Sequence, residues 1–589
     1  MPKLRKEKIL KGVPASPGIS IGTPFHYVHE TLNVSRNVIE DHEIEQEIQK
    51  YRRSIEKSRA LIIDDKKKAL KNNSADAAKI FDAHLLILDD VVLIDEAISI
   101  ISNQNVQASY AVSKVMKDYQ TAFENLQNEY FSQRAFDVED VCRRIISNII
   151  AEEKNEVHDT TVLNGKKIII TKKLFPSDTL NFDREHILGI ITEYGGSTSH
   201  AAIMARGMAV PAIVGVQGIG KWIDDTSLII VDGYTGKVII NPTPTTFEVY
   251  KKMQHAEEKQ YLEDLNIAKL KSETLDKHKV SISCNIQTDD EVESVLKWSG
   301  EGIGLFRTEF LFESSLSILS EEEQYRIYDK VSKDIFPNNV IIRLLDIGGD
   351  KLQDKLRLKE DNPFLGVRGL RLLFDHPDIL RSHLRAILRA SHRKNIWIII
   401  PFVTDIYEVK RIKGIIGRVK NEMISEGYNV DKKIKIGIML EIPSVVMIVD
   451  HIAPLVDFFS IGTNDLTQYT LAADRGNEKV SHIFDSLHPA VIQLIKISIE
   501  SANKHNKYIS LCGQMAAYPI AIPLLLGLGL RNFSVTPFLV PVVKKIIRRE
   551  LVSDCEKLAE QCLQNGSGRK INKILSDFFT NTIGERMIK

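Results

Sequence analysis

The spacing of hydrophobic positions changes along the chain, and each change marks a predicted domain. From about residue 35 to 150, apolar residues recur at helical spacing with almost no Gly or Pro, as in KIFDAHLLILDDVVLIDEAISII at 79–101. This pattern predicts a helical domain over 31–150. The preceding stretch 12–25 is punctuated by Gly and Pro and reads as loops and short strands. From about 160, runs such as KKIIIT and SLIIVDGYTGKVIINP read as strands, the latter as a hairpin with Gly at its turn. A compact α/β domain is predicted over 151–248, and residues 1–30 are expected to join it, which makes the helical domain an insertion. Residues 249–278 carry charge on most faces and few apolar positions, the pattern of a linker helix. Eight strand-like runs follow, separated by helical stretches: VSISCNI, GIGLFRTEF, NVIIRLLDIG, IWIIIPFV, KIGIMLEIP, FFSIGT, YISLCG and NFSV. Their alternation predicts a TIM (β/α)8 barrel over 279–578, and a multidomain α/β chain as a whole.

With 589 residues the chain exceeds what one hydrophobic core supports, in agreement with several domains. Lys+Arg and Asp+Glu are equal at 78 each, so no global field draws the protein to nucleic acid or to an anionic membrane. Any anion it binds must meet a local site. The five cysteines are scattered without a CxxC pair, which reads as reduced thiols in cytosol. The N-terminus lacks an apolar signal-like segment, and the longest apolar runs are too short to span a bilayer, so a cytoplasmic protein is expected.

In a barrel, side chains just past the strands' C-terminal ends share one mouth. Here those ends supply Asn285, Arg307, Arg343 with Asp346, Glu441, Asn464 with Asp465, Cys512 and Ser534, and Arg475 follows in the loop TNDLTQYTLAADRGN. A lone arginine in such a loop is more often a solvated side chain or a structural ion pair. Convergence of the whole set points instead to a small, multiply charged anion. Arg307, Arg343 and Arg475 can fork onto phosphate or carboxylate, and Glu441 and Asp465 are hard oxygen ligands that suit Mg²⁺.

A second constellation is EYGGSTSHAAIMARGMAVPAIVG at 193–215. Tandem glycines permit a tight turn after the strand HILGIIT, Thr198 or Ser199 can cap, and His200 falls near a helix N-terminus. A phosphoryl group on that histidine would meet free N–H groups and a favourable dipole.

GGSTSHAAIMAR resembles the phosphohistidine signature shared by Enzyme I of the bacterial sugar phosphotransferase system, pyruvate phosphate dikinase and phosphoenolpyruvate synthase. DFFSIGTNDLTQYTLAADRGN resembles their barrel signature, and KGVPASPGI, AHLLILDD, GIGLFRTEFLF, DIGGDK and NPFLGVRGLRL extend the likeness over nearly the whole chain. Length and the helical insertion single out the Enzyme I family among the three. The resemblance implies that His200 is the tele-phosphorylated acceptor and that Arg307, Arg343, Asn464, Asp465 and Arg475 bind phosphoenolpyruvate. Lys351 in the GGDK run becomes a further phosphate-side candidate, Glu441 and Asp465 the Mg²⁺ ligands, and Cys512 the donor that protonates the enolate carbon of pyruvate. The 1–30 and 151–248 domain becomes a swivelling phosphohistidine domain, and the helical insertion the dock for the carrier HPr, with Arg134 at a contact position and His84 in the matching helix. A homodimer joined through the barrels is implied as well.

The chain departs from the family pattern beside Cys512. Where CGE-x-AGD is common, it reads CGQMAAYP, so Gln514, Ala517 and Tyr518 replace two carboxylates and a glycine, and Ile442 replaces the usual Thr after Glu441. Neighbouring carboxylates disfavour a thiolate, so their absence is expected to leave Cys512 more acidic than the common arrangement does. Two alternatives share the motifs: the nitrogen-related regulatory paralogue, which a missing N-terminal sensory extension disfavours, and a degenerate carrier-binding regulator with little turnover.

Overall fold

A computed structural model describes residues 6–27, 34–71, 75–124, 129–154, 165–179, 184–196, 199–208, 210–313, 319–348, 362–477 and 479–586. The chain divides into two compact units, Met1–Lys259 and Gln260–Lys589.

In the first unit, five helices follow one another: α1 (Ile44–Lys71), α2 (Ala75–Leu88), α3 (Val91–Gln104), α4 (Ala108–Glu124) and α5 (Glu129–Lys154). Their shared core is built at three- and four-residue spacing, as in α5, where Val138, Val141, Cys142, Ile145, Ile146 and Ile149 are buried. The apolar run 79–101 is two helices. The first ends at Leu88 and Asp90 caps the second, its carboxylate accepting the Val92 N–H at 2.9 Å.

The opening strands β1 (Lys8–Lys11), β2 (Val13–Ser16), β3 (Ile19–Gly22) and β4 (Pro24–His26) pair with strands that lie beyond the helices. Those are β5 (Lys167–Thr171), β6 (Ile187–Thr192), β7 (Ala212–Val214), β8 (Ile229–Asp232) and β9 (Lys237–Ile240). A four-stranded sheet has the order β1-β9-β8-β3 and a five-stranded one β2-β7-β6-β5-β4. In the β8–β9 hairpin, Asp232 accepts the N–H groups of Tyr234 and Thr235, and Gly236 takes φ +71°. Helix His200–Gly207 buries Ala201, Ala202 and Ala205 in the core that β5, β6 and β7 build with Ile169, Ile190, Ala212 and Val214.

The charged helix runs Pro244–Ala268, earlier at both ends than the 249–278 read from the sequence. Residues 269–280 are turns instead, with the Thr274 N–H donating to the His278 carbonyl at 3.0 Å.

The second unit closes eight parallel strands into a barrel: β10 (Ser281–Ile286), β11 (Ile303–Arg307), β12 (Val340–Arg343), β13 (Ile396–Ile400), β14 (Lys435–Leu440), β15 (Phe458–Ile461), β16 (Tyr508–Leu511) and β17 (Asn532–Val535). β17 pairs back onto β10, Ser281 lying opposite Asn532. Both strand faces are covered, so the strands read as continuous apolar runs. Ile398, Ile400, Ile438 and Leu440 point to the surrounding helices, while Trp397, Ile399, Met439 and Phe458 fill the barrel. No helix among the described residues is long and apolar enough to cross a membrane.

Candidate active site

The strand register delivers polar side chains to one mouth. Arg307 and Arg343 are the last residues of β11 and β12, Glu441 directly follows β14, and Cys512 directly follows β16. Asn464 and Asp465 open the helix Thr463–Leu471 behind β15. A cavity of about 970 Å³ there is lined by Arg307, Arg343, Asn464, Asp465, Arg475 and Cys512 among others.

The guanidiniums in this cavity are not equivalent. Arg343 is buried and pairs with Glu309 and, at 3.1 Å, with Asp346. Burial works against its charge, yet those carboxylates keep it fully protonated. Arg307 and Arg475, by contrast, form no ion pair with any described residue. Arg307 acts on Glu291 and Glu309 only at longer range, so both guanidiniums can pair directly with an anionic ligand in the cleft. Asn285 and Ser534 are used by the scaffold: Asn285 Nδ2 donates to the Cys512 and Ser534 carbonyls, both at 3.1 Å, and Ser534 Oγ donates to Asn285 Oδ1 at 2.6 Å.

Glu441 is fully buried. Its Oε1 accepts the Phe402 N–H at 2.7 Å, whereas Oε2 has no partner among the described residues. Burial, then the charges of Asp465 and Asp346, push its pKa well above the carboxylate range. Space beside Oε2 is kept by Gly462, where a Cβ would stand 2.9 Å from that oxygen. An orphaned, buried carboxylate oxygen with an acidic neighbour and open room fits a divalent cation. Mg²⁺ needs only one or two protein carboxylates, so the lack of a three-ligand cluster among the described residues is compatible with it.

Cys512 is 3% exposed, and its Sγ accepts from Ser460 Oγ at 3.3 Å. Burial raises the thiol pKa, against the Ser460 hydroxyl and the guanidiniums of Arg307 and Arg343, which favour thiolate. The Gln514 side chain is exposed, and its backbone N–H donates to Asn464 Oδ1 at 3.0 Å. The local dielectric and the nearby cations therefore govern Cys512 more directly than position 514 does.

In the first unit, His200 is the first residue of its helix, after Ser199 as N-cap, and its side chain lies outside the described residues. Ser199 Oγ is buried and makes no capping bond, and a Cβ on Gly195 (φ +122°) would come within 3.0 Å of it. Thr198, Lys351 and the Arg134 side chain also lie outside the described residues. His84 does not occupy a docking face. It is buried, with Nε2 3.2 Å from Asp137 Oδ1.

Three families of phosphoenolpyruvate-utilising enzymes tile the sequence. The N-terminal family matches residues 11–134, the mobile domain 163–236 and the PEP-binding domain 263–552. The phosphoenolpyruvate-protein phosphotransferase of Priestia megaterium is 38% identical over 573 residues, covering 97% of this chain and 99% of its own. That of Staphylococcus carnosus is 38% identical over 577 residues, covering 98% and 100%. The Bacillus subtilis enzyme of the same name is 38% identical over 571 residues, covering 97% and 99%. The chain belongs to the phosphoenolpyruvate-protein phosphotransferase family. A family defined by three successive domains accounts for the chain's layout: a helical N-terminal part, a mobile domain carrying His200, and an eight-stranded barrel.

Within this phosphotransferase barrel, the sequence motifs alone did not reveal Glu309, Arg368 or Phe402. Arg368 lines the cavity and pairs with Asp346 at 2.9 Å and with Asp465 at 3.2 Å, its guanidinium 4.6 Å from the Phe402 ring. The available signal was the glycine-flanked arginine in FLGVRGLRL. Gly369, next in sequence, has φ +55°, which only a residue without Cβ adopts easily.

Proposed function

We propose that the protein takes the phosphoryl group of phosphoenolpyruvate onto the tele nitrogen of His200 and passes it to the histidine of the carrier HPr, releasing pyruvate as the first step of sugar phosphotransferase transport. The observation that carries this reading is the convergence at the barrel strands' C-terminal ends of two guanidiniums that form no ion pair with a described residue and two acids, Glu441 and Asp465, each with one oxygen that no described residue bonds. Membership of the family supports it across nearly the full chain.

In this reading Arg307, Arg343, Arg475 and Asn464 hold the substrate, with Arg343 oriented by Glu309 and Asp346. Glu441 and Asp465 would hold Mg²⁺, whose charge offsets that of the phosphoryl oxygens. Catalysis is then mostly positioning and electrostatic stabilisation. The bond from phosphorus to the enol oxygen breaks as the bond to the His200 nitrogen forms. The enolate left behind takes the proton of the Cys512 thiol at its methylene carbon, giving pyruvate, and the thiolate recovers a proton from solvent. The same resemblance implies a cytoplasmic homodimer.

The test mixes the protein with phosphoenolpyruvate, Mg²⁺ and HPr. Pyruvate is expected in equal amount to phosphorylated HPr. HPr that stays unphosphorylated while pyruvate accumulates, or no pyruvate at all, would refute the reading.

A further inference from the structure

The two acids proposed to hold the metal, Glu441 and Asp465, are each gripped by one oxygen. Glu441 Oε1 is taken by the Phe402 N–H at 2.7 Å, and Asp465 Oδ1 by Arg368 Nη1 at 3.2 Å. Glu441 Oε2 and Asp465 Oδ2 accept no hydrogen bond from any described residue.

The gripping groups are themselves held from several sides. Phe402 has φ +55°, a conformation that a bulky residue rarely adopts unless its surroundings over-determine it. In that conformation its amide meets Glu441 while its ring lies 4.6 Å from the Arg368 guanidinium. Arg368 in turn forks onto Asp346 at 2.9 and 3.2 Å, and its Nη1 reaches Tyr469 Oη at 3.0 Å. Gly369 lets the two approach: a Cβ there would stand 2.7 Å from Phe402 Cβ and 3.0 Å from Asp346 Oδ1. One strained backbone and one guanidinium thus fix which oxygen each acid can offer.

We propose that Phe402 and Arg368 are positioning residues that limit Glu441 and Asp465 to one metal-facing oxygen each, and so select a small octahedral cation over a larger one. The proposal rests on the reading that these two acids hold the metal. Mg²⁺ and Mn²⁺ accept single carboxylate oxygens and leave their remaining positions to water and substrate. Ca²⁺ takes more oxygens and commonly binds a carboxylate through both. A carboxylate with one oxygen already hydrogen-bonded cannot make that second contact without breaking the bond.

The test titrates the full chain with Mn²⁺, following the spin-resonance signal of the free aquo ion, and then competes with Ca²⁺, in the absence of phosphoenolpyruvate and carrier. Arg368→Lys keeps the charge but cannot span Asp346 and Asp465 with a rigid fork. The expected result is a fall in Mn²⁺ affinity of roughly tenfold or more, with Ca²⁺ losing less, so that the preference narrows. Tyr469→Phe removes one hydrogen bond to Arg368 at almost constant shape, and is expected to narrow it by a smaller factor. If Arg368→Lys does not fold, Tyr469→Phe decides. A Mn²⁺/Ca²⁺ ratio equal to wild type in the folded variants overturns the positioning role. A wild type that binds neither ion overturns the metal reading itself.

Discussion

Arg307 and Arg475 bring charge to the cleft and form no ion pair with a described carboxylate, whereas Arg343 and Arg368 are tied to Glu309, Asp346 and Asp465. The first two are therefore expected to act on substrate directly. Arg307→Ala or Arg475→Ala should slow loading from phosphoenolpyruvate by roughly 10²–10³, the usual loss when one electrostatic donor is removed. Exchange between His200 and the carrier should persist, and rapid-quench measurement of the two half-reactions separates them; equal damage to both would contradict the assignment. Cys512 carries a pH prediction. A proton donor must be protonated, and burial raises this thiol's pKa, so the alkaline limb of pyruvate formation should lie above the ~8.5 of an ordinary thiol. Cys512→Ala should abolish steady-state pyruvate release. Gln514→Glu, with its side chain at the solvent, should shift the limb upward only slightly. A limb at or below the ordinary value, or an active Cys512→Ala enzyme, would contradict the donor role.

At the scale of elements, helix α5 meets the α/β part of the first unit through polar contacts. Ser177 Oγ donates to Asp140 at 2.7 Å and Lys173 pairs with Glu139 at 2.7 Å, while beside them, within the α/β part, the Tyr27 hydroxyl donates to Asp178 at 2.8 Å. Burial, then the charge of Asp140, pushes the Asp178 carboxyl up to about 7. The folded state then holds a proton that the unfolded state has lost between pH ~4 and ~7, so stability falls as pH rises through that window. Asp178→Asn removes this linkage, and its melting temperature relative to wild type should rise from pH 5 to pH 8. A constant difference would contradict the assignment. Elements of this kind were legible in unequal degree. The eight barrel strands could be read because strands buried on both faces are unbroken apolar runs, and the acids and arginines at their ends because each follows such a run. Arg368 and Phe402 could not, since nothing local marks Phe402 as left-handed or Arg368 as facing two acids 22 and 97 positions away. His84 lies in the helix expected of it, but its burial was not legible, because its partner Asp137 lies 53 positions on, in another helix. The charged helix 244–268 was visible, but its end was not, because the turns that follow are charged as well.

At the scale of the whole molecule, the proposed acceptor His200 and the barrel cleft proposed for the substrate belong to different compact units. His200 lies in Met1–Lys259 and the barrel in Gln260–Lys589, with the boundary inside a single helix. That division suits the proposed role, in which His200 serves two partners in turn, a small anion and a carrier protein. The central claim is that phosphoryl from phosphoenolpyruvate resides on His200. It is tested most directly by incubating wild type and His200→Ala with Mg²⁺ and phosphoenolpyruvate labelled in the phosphate. Wild type should carry one acid-labile, base-stable phosphate per chain and His200→Ala none, whereas undiminished label in the variant would contradict the account.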